Sequence, residues 1–267
     1  MGGFATNISG NYGDEKVAQS TRIGGLALGT RMMLPDGRIF VHSRAGATAL
    51  VAGKLYQGKA GETNTIFIST LATATGVVGD KTITVTVSGT VLAEDTYADG
   101  YITLHTGTGI GSVYKVKSHP EADASTCVVA LEPSDGLVTA VAGGTTTAGM
   151  RKNEFDSVLL TTADTVGVNF IAGVAPAVAD ANDYCWIQRR GACLCLEDNS
   201  TAIVGLPVTA STVTAGAIGL FAPPIAHMSG IKASSPIAGS RDELVPVGEC
   251  MSVGGSGGYA LIYLKLD

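Results

Sequence analysis

Residues 82–87, Thr-Ile-Thr-Val-Thr-Val, alternate strictly between threonine and an aliphatic side chain. A two-residue period sends successive side chains to opposite faces of a strand. Ile83, Val85 and Val87 therefore share one face, and Thr82, Thr84 and Thr86 share the other. Tyr101-Ile102-Thr103-Leu104-His105 and Val113-Tyr114-Lys115-Val116-Lys117 follow on either side of Gly107-Thr108-Gly109-Ile110-Gly111. Period-two runs separated by glycine predict antiparallel strands with one wet face, joined here by a hairpin turn.

The same grammar covers the rest of the chain. Pro35-Asp36-Gly37 is a turn that leads into a strand over 38–43, and residues 126–131 read as a buried strand. The Ala/Gly-rich stretch 45–53 has room for one or two helical turns between its glycines. Further strands are expected over 156–162, 166–172, 184–189, 204–208, 217–221 and 259–266, with 191–196 as a hairpin partner of 184–189. No segment offers a helix longer than about three turns. Residues 39–47 and 185–192 echo each other, which suggests a duplicated hairpin. The expected fold is all-β, an antiparallel β-sandwich or barrel built as one large or two small subdomains. Residues 1–24, rich in Gly, Asn and Ser, form an extended N-terminal arm that at ~3.3 Å per residue reaches several tens of ångströms. Subdomains follow over 25–149 and 150–267, with a soft boundary at the low-complexity Gly/Thr/Ala patch 141–149.

Composition adds a constraint. Charged residues make up only 15% of the 267, against a typical ~25%, and 36 residues are glycine. Mean hydropathy is +0.30, yet no run of ~18 apolar residues exists to span a membrane. Such a chain has more apolar surface to hide than a lone monomer usually carries, which points to oligomerisation or docking on a larger assembly. The formal charge of −6 lacks the basic stripe that phosphate binding needs, so no nucleic-acid partner is expected. No basic-then-apolar leader opens the sequence, and no membrane association is expected.

Candidate chemistry is sparse. The five cysteines, Cys127, Cys185, Cys193, Cys195 and Cys250, read as buried free thiols of a reducing compartment. Cys193 and Cys195 lie on one strand face, but without a second Cys pair in a turn or a nearby histidine they do not make a zinc site. Gly254-Gly255-Ser256-Gly257-Gly258 satisfies the Gly-x-Ser-x-Gly spelling of an esterase elbow. That mechanism needs a helix after the serine and a later histidine, whereas a strand follows and no histidine lies downstream. The 107–111 glycines lack the Gly-Lys-Ser/Thr ending of a phosphate loop. His42, His105, His119 and His227 are far apart and read as surface or sheet histidines. The carboxylate pairs Glu94-Asp95, Glu121 with Asp123, Glu197-Asp198 and Asp242-Glu243 fall in expected turns, and Trp186 is expected in the core. No residue is assigned a catalytic, cofactor-binding or metal-binding role, no cofactor is expected, and the chain does not read as an enzyme.

Three stretches carry a family resemblance. Gly37-Arg38-Ile39-Phe40-Val41 leads to Ala45-Gly46-Ala47-Thr48-Ala49-Leu50-Val51-Ala52-Gly53-Lys54-Leu55. Tyr97-Ala98-Asp99-Gly100-Tyr101-Ile102 runs on through Gly109 to Pro120. Asp183-Tyr184-Cys185-Trp186-Ile187-Gln188-Arg189-Arg190-Gly191-Ala192 is followed by Gly205-Leu206-Pro207-Val208 and Ala215-Gly216-Ala217-Ile218-Gly219. Together they resemble the head decoration, or cement, proteins of tailed bacteriophages. The resemblance implies a β-rich homotrimer on the outer capsid surface of the virion, made in the host cytoplasm and stabilising contacts between major capsid protein subunits. It carries no catalytic motif. The chain is longer and richer in cysteine than decoration proteins often are, which suits a two-part version. A receptor- or glycan-binding head-fibre or tail-spike module is the alternative, and the low aromatic content, 6%, counts against its sugar platform.

Overall fold

The structure is a computed structural model that describes residues 7–59, 71–87, 91–123, 126–163, 170–198, 202–221, 245–254 and 258–267. In chain order the strands are β1 (Asn7–Ser9), β2 (Arg31–Met33), β3 (Ile39–Arg44), β4 (Leu55–Gln57), β5 (Leu71–Thr75), β6 (Thr82–Val87), β7 (Val91–Leu92), β8 (Tyr101–Leu104), β9 (Val113–Ser118) and β10 (Ala122–Asp123). They continue as β11 (Thr126–Leu131), β12 (Thr147–Arg151), β13 (Leu159–Leu160), β14 (Ile171–Val174), β15 (Tyr184–Leu196), β16 (Pro207–Ala210), β17 (Ile218–Leu220), β18 (Gly248–Ser252) and β19 (Tyr259–Lys265). The fold is all-β and essentially antiparallel, as the alternation predicts. The only helices among the described residues are two 3₁₀ turns, Asp14–Lys16 and Ile23–Gly25. The Ala/Gly-rich stretch 45–53 forms turns and single bridges where a short helix was expected.

The chain divides into two compact units, Met1–Lys59 with Phe155–Asp267, and Ala60–Glu154. This differs from the expected division into 25–149 and 150–267. Strands β3 and β4 belong with the last third of the chain, and the second unit is an insertion in the first. Antiparallel pairing explains how one unit tolerates this. Leu159 and Leu160 of β13 pair with Gln57 and Tyr56 of β4, so the strand before the insertion and the strand after it are neighbours.

The inserted unit is a closed six-stranded barrel, ordered β11-β6-β5-β12-β8-β9 around its circumference. Its interior is the face that the sequence marks. Ile83, Val85 and Val87 are buried with Ile102, Leu104, Tyr114, Val116, Cys127, Val129 and Leu131. Closure leaves the barrel no edge strand to protect. The 107–111 glycines form the β8–β9 turn, with Gly107, Gly109 and Gly111 all at positive φ.

The other unit is an eleven-stranded sheet whose main path runs β1-β2-β3-β15-β19-β18-β16-β17. The thirteen-residue β15 is its spine, pairing β3 along its first half and β19 along its second. The two segments that echo each other in sequence are thus β3 and β15, neighbours in one sheet, with Trp186 opposite His42 and Ile187 opposite Val41. The N-terminal segment also departs from expectation, because residues 7–24 do not stand off as an arm. β1 pairs in parallel with β2, Gln19 bridges Tyr184, and Glu15 is buried. Ile8, Ile23 and Leu26 pack with Met32, Leu34, Phe40 and Trp186, which supplies the apolar burial that the composition of 1–24 alone did not promise.

Candidate interaction surface

The polar groups singled out by sequence are placed apart and used by the fold. Cys185 sits in one core cluster, while Cys193, Cys195 and Cys250 sit in another. Burial pushes the thiols of Cys185 and Cys193 up to about 12 and that of Cys195 well above its ordinary value. The cause is the loss of solvent around a thiolate, reinforced at Cys185 by the nearby Asp183 and partly offset at Cys193 by Arg38. Cys127 and Cys250 are shifted upward by burial as well. Since thiolate is the reactive form, the native protein is expected to resist an aromatic disulfide reagent at pH 8. All five thiols should react once it is unfolded. Fast labelling of any native thiol would overturn this expectation.

The histidines serve local structure. His119 is buried, its Nε2 accepts the Tyr97 N–H at 3.0 Å, and its Nδ1 lies 2.9 Å from the Pro120 carbonyl. With Nε2 accepting, Nδ1 is the donor to the Pro120 carbonyl. His42 is buried among Tyr184 and Trp186, with ring centroids at 5.6 and 5.4 Å. His105 Nε2 lies 2.9 Å from Thr103 Oγ1. His227, Ser256 and the pair Asp242-Glu243 lie outside the described residues.

Two carboxylate pairs depart from their expected places in turns: Asp123, paired with Glu121 in the sequence reading, lies in β10, and Glu197 and Asp198 are buried at the end of β15. Glu197 Oε1 accepts the Ala202 N–H at 2.5 Å, and Asp198 accepts the Ser211 hydroxyl. Ser211 Oγ in turn accepts the Val213 and Thr214 N–H groups, each at 3.0 Å. Together these bonds tie the ends of neighbouring segments. No group of three or more His, Cys, Asp or Glu side chains placed to hold a metal ion occurs among the described residues, and no helix among them is long and apolar enough to cross a membrane.

Two surface features remain in the sheet unit. The first is a cleft of 680 Å³ whose described lining includes Gly46, Thr48, Lys54, Lys59, Ser157 and Asn182. Ser157 and Asn182 hold φ of 57° and 65°, respectively. Asn182 N–H donates to the Gly46 carbonyl at 2.9 Å, which joins two parts of the lining.

The second feature is an apolar sheet face. β15 carries an extra residue against β3 between Gln188 and Arg190, so the parity of its faces changes there: Trp186 and Gln188 share a face with Cys193 and Cys195, and Cys185 and Ile187 share one with Leu194. On the first of these faces Trp186 packs with Met32, Leu34 and Phe40. On the other, Cys185 and Ile187 are buried in a core cluster before the bulge, while Leu194 beyond it is open. Its register partner Leu261 on β19 is open too, flanked by Tyr259 and Tyr263 on the same face. A bulge in β18 after Cys250 adds Met251 beside Ser252, which pairs Leu261. Tyr259 is held in place by the Gly53 turn, where an added Cβ would meet the ring at 2.6 Å. Sequence reasoning passed over this surface, although the signal was present. Residues 259–266 read Tyr-Ala-Leu-Ile-Tyr-Leu-Lys-Leu, apolar on both faces of one strand.

No protein-family model, curated protein or solved structure matches the chain.

Proposed function

We propose that this chain is a virion structural protein that decorates the outer surface of a tailed-bacteriophage head. On this reading it acts as a homotrimer that bridges and stabilises major capsid protein subunits. The observation that carries the reading is the surface chemistry. Large apolar side chains stand open in both units, at Ile110, Val113, Val128 and Val138 of the barrel and at Leu194, Met251 and Leu261 of the sheet. The chain as a whole carries only 15% charged residues. Isolated open apolar residues are ordinary, but this many beside so little charge suits a protein that works by contact. The sequence resemblance supplies the class of partner, and the two-unit build suits a larger version of that class.

The reading requires genes for a major capsid protein and a portal beside the gene for this chain. Heads assembled from that capsid protein are expected to carry the purified chain down on sedimentation, while unassembled capsid subunits leave it in solution. Cryo-electron microscopy of such heads should then show added density on the outer surface. Heads that leave the chain in the supernatant would overturn the reading.

A further inference from the structure

We propose that the bare half of the sheet face, centred on Leu194 and Leu261, is where copies of this chain meet. This deepens the reading above by naming the surface of self-association. It rests first on how the sheet is covered. One face of β15 carries Cys185 and Ile187, buried in a core cluster, before a bulge between Gln188 and Arg190, and Leu194 beyond it. The part beyond the bulge is apolar too and lies inside the sheet, between β3 and β18. Its opposite side is already sealed by Cys193, Cys195, Ile262 and Leu264. Strands that are apolar on both faces belong to sheets covered on both sides.

Size and composition point to a second copy as the cover. Leu194, Met251, Tyr259, Leu261 and Tyr263 are 53%, 45%, 39%, 36% and 36% exposed, respectively. Taking roughly 200 Å² for an open side chain of this bulk, the five present roughly 400 Å². A stable interface buries about 800 Å² per partner, about 65% of it apolar between like subunits, so the patch supplies most of the apolar part that one copy must bring. Tyrosine and methionine are also the residues enriched at such contacts. Charge is confined to one end, where Arg190 pairs Lys265 in register and Lys265 forms an ion pair with Glu249. A partner covering the middle therefore needs no charge of its own. An identical apolar face, with its own ion pair left at the rim, meets that requirement.

The test is the mass of the free full-length chain in solution, measured by light scattering or sedimentation equilibrium. The wild type is expected at a whole multiple of 27.0 kDa. Leu261→Glu and Leu194→Lys are each expected to reduce it to one chain, whereas Val138→Glu on the barrel unit leaves it unchanged. Both sheet substitutions are at open positions, so Trp186 fluorescence should stay native. A second measurement does not depend on tolerating a charge. Because the native thiols are buried, Leu261→Cys is expected to give a reducible cross-linked pair of chains under mild oxidation, and the wild type none. A monomeric wild type, an oligomer that survives both charged substitutions, or a Leu261→Cys chain that fails to cross-link would overturn the proposal. Failure of head binding with these results intact would remove the decoration reading and leave the interface standing. Head binding by a monomeric wild type would remove the interface and the trimer while leaving the decoration of heads standing.

Discussion

Replacing Arg189 with methionine is expected to lower the unfolding free energy of the sheet unit by about 3 kcal/mol. Arg189 is buried, and every arm of its guanidinium is used. Nε donates to Asp267 Oδ1 at 3.0 Å, Nη1 to the Ile171 and Ala172 carbonyls at 3.0 and 2.9 Å, and Nη2 to the Leu266 carbonyl at 2.7 Å. The guanidinium also lies over the rings of Phe170 and Phe155, 4.9 and 5.4 Å from their centroids. One side chain thus joins β15, β14 and the residues after β19. Methionine fills much of the same volume but takes this donor away from three carbonyls and leaves Asp267 without its buried partner. Arg31, half exposed and 3.1 Å from Asp267, keeps part of that compensation, so the expected loss lies at the low end for a broken buried pair. Arg189→Lys retains the charge but not the planar fork, and a single ammonium cannot reach acceptors on both sides. It is expected to lose about 2 kcal/mol. Urea unfolding followed by the single tryptophan, Trp186, reads both. A loss below about 1 kcal/mol for the methionine variant would show that solvent satisfies these groups.

Gly173→Ala is expected to cost about 3 kcal/mol or more. Gly173 lies at a register shift in β14, where the strand slips past β4 between Ile171 and Gly173. Its φ is 140°, and an added Cβ would sit 2.1 Å from the Gln188 carbonyl oxygen and 2.8 Å from Ile187 Cγ2. The nearer obstacle is backbone of the sheet's spine and cannot swing aside as a side-chain end would. Gly37→Ala is the matched control. Its φ is 81°, but no atom lies within 4 Å of the added Cβ, so only the left-handed backbone penalty applies, about 1–2 kcal/mol. Equal losses at the two positions would show that backbone conformation and not close approach sets the cost at Gly173.

Much of the sheet unit's detail depends on residues that are unremarkable in sequence. Arg189 stands beside Arg190, and nothing in the sequence says which of the two is buried. Glu197 and Asp198 read as a turn. Their burial depends on Ala202 and Ser211 returning to meet them. The apolar face around Leu261 was partly legible, because a strand with both faces apolar asks for two covers. Which residues complete the patch was not, since Leu194 and Met251 join it only through pairing on either side of β19.

By itself the sequence determined what is local. Alternation fixed which side chains of β6 face a core, and glycines and Asp-Gly placed the turns. The pairing of strands was decided only in three dimensions, because backbone hydrogen bonds between strands carry no sequence label. Tertiary structure therefore decided that β3 and β4 join the last third of the chain and that the barrel is an insertion. It also placed the bulge in β15 between Gln188 and Arg190, which makes the face of Cys185 and Ile187 the face of Leu194. Before the bulge that face is buried in a core cluster, and beyond it Leu194 and Leu261 are open. Apolar side chains on one sheet leave water only where another segment lies over them, and that is settled by how distant strands pair.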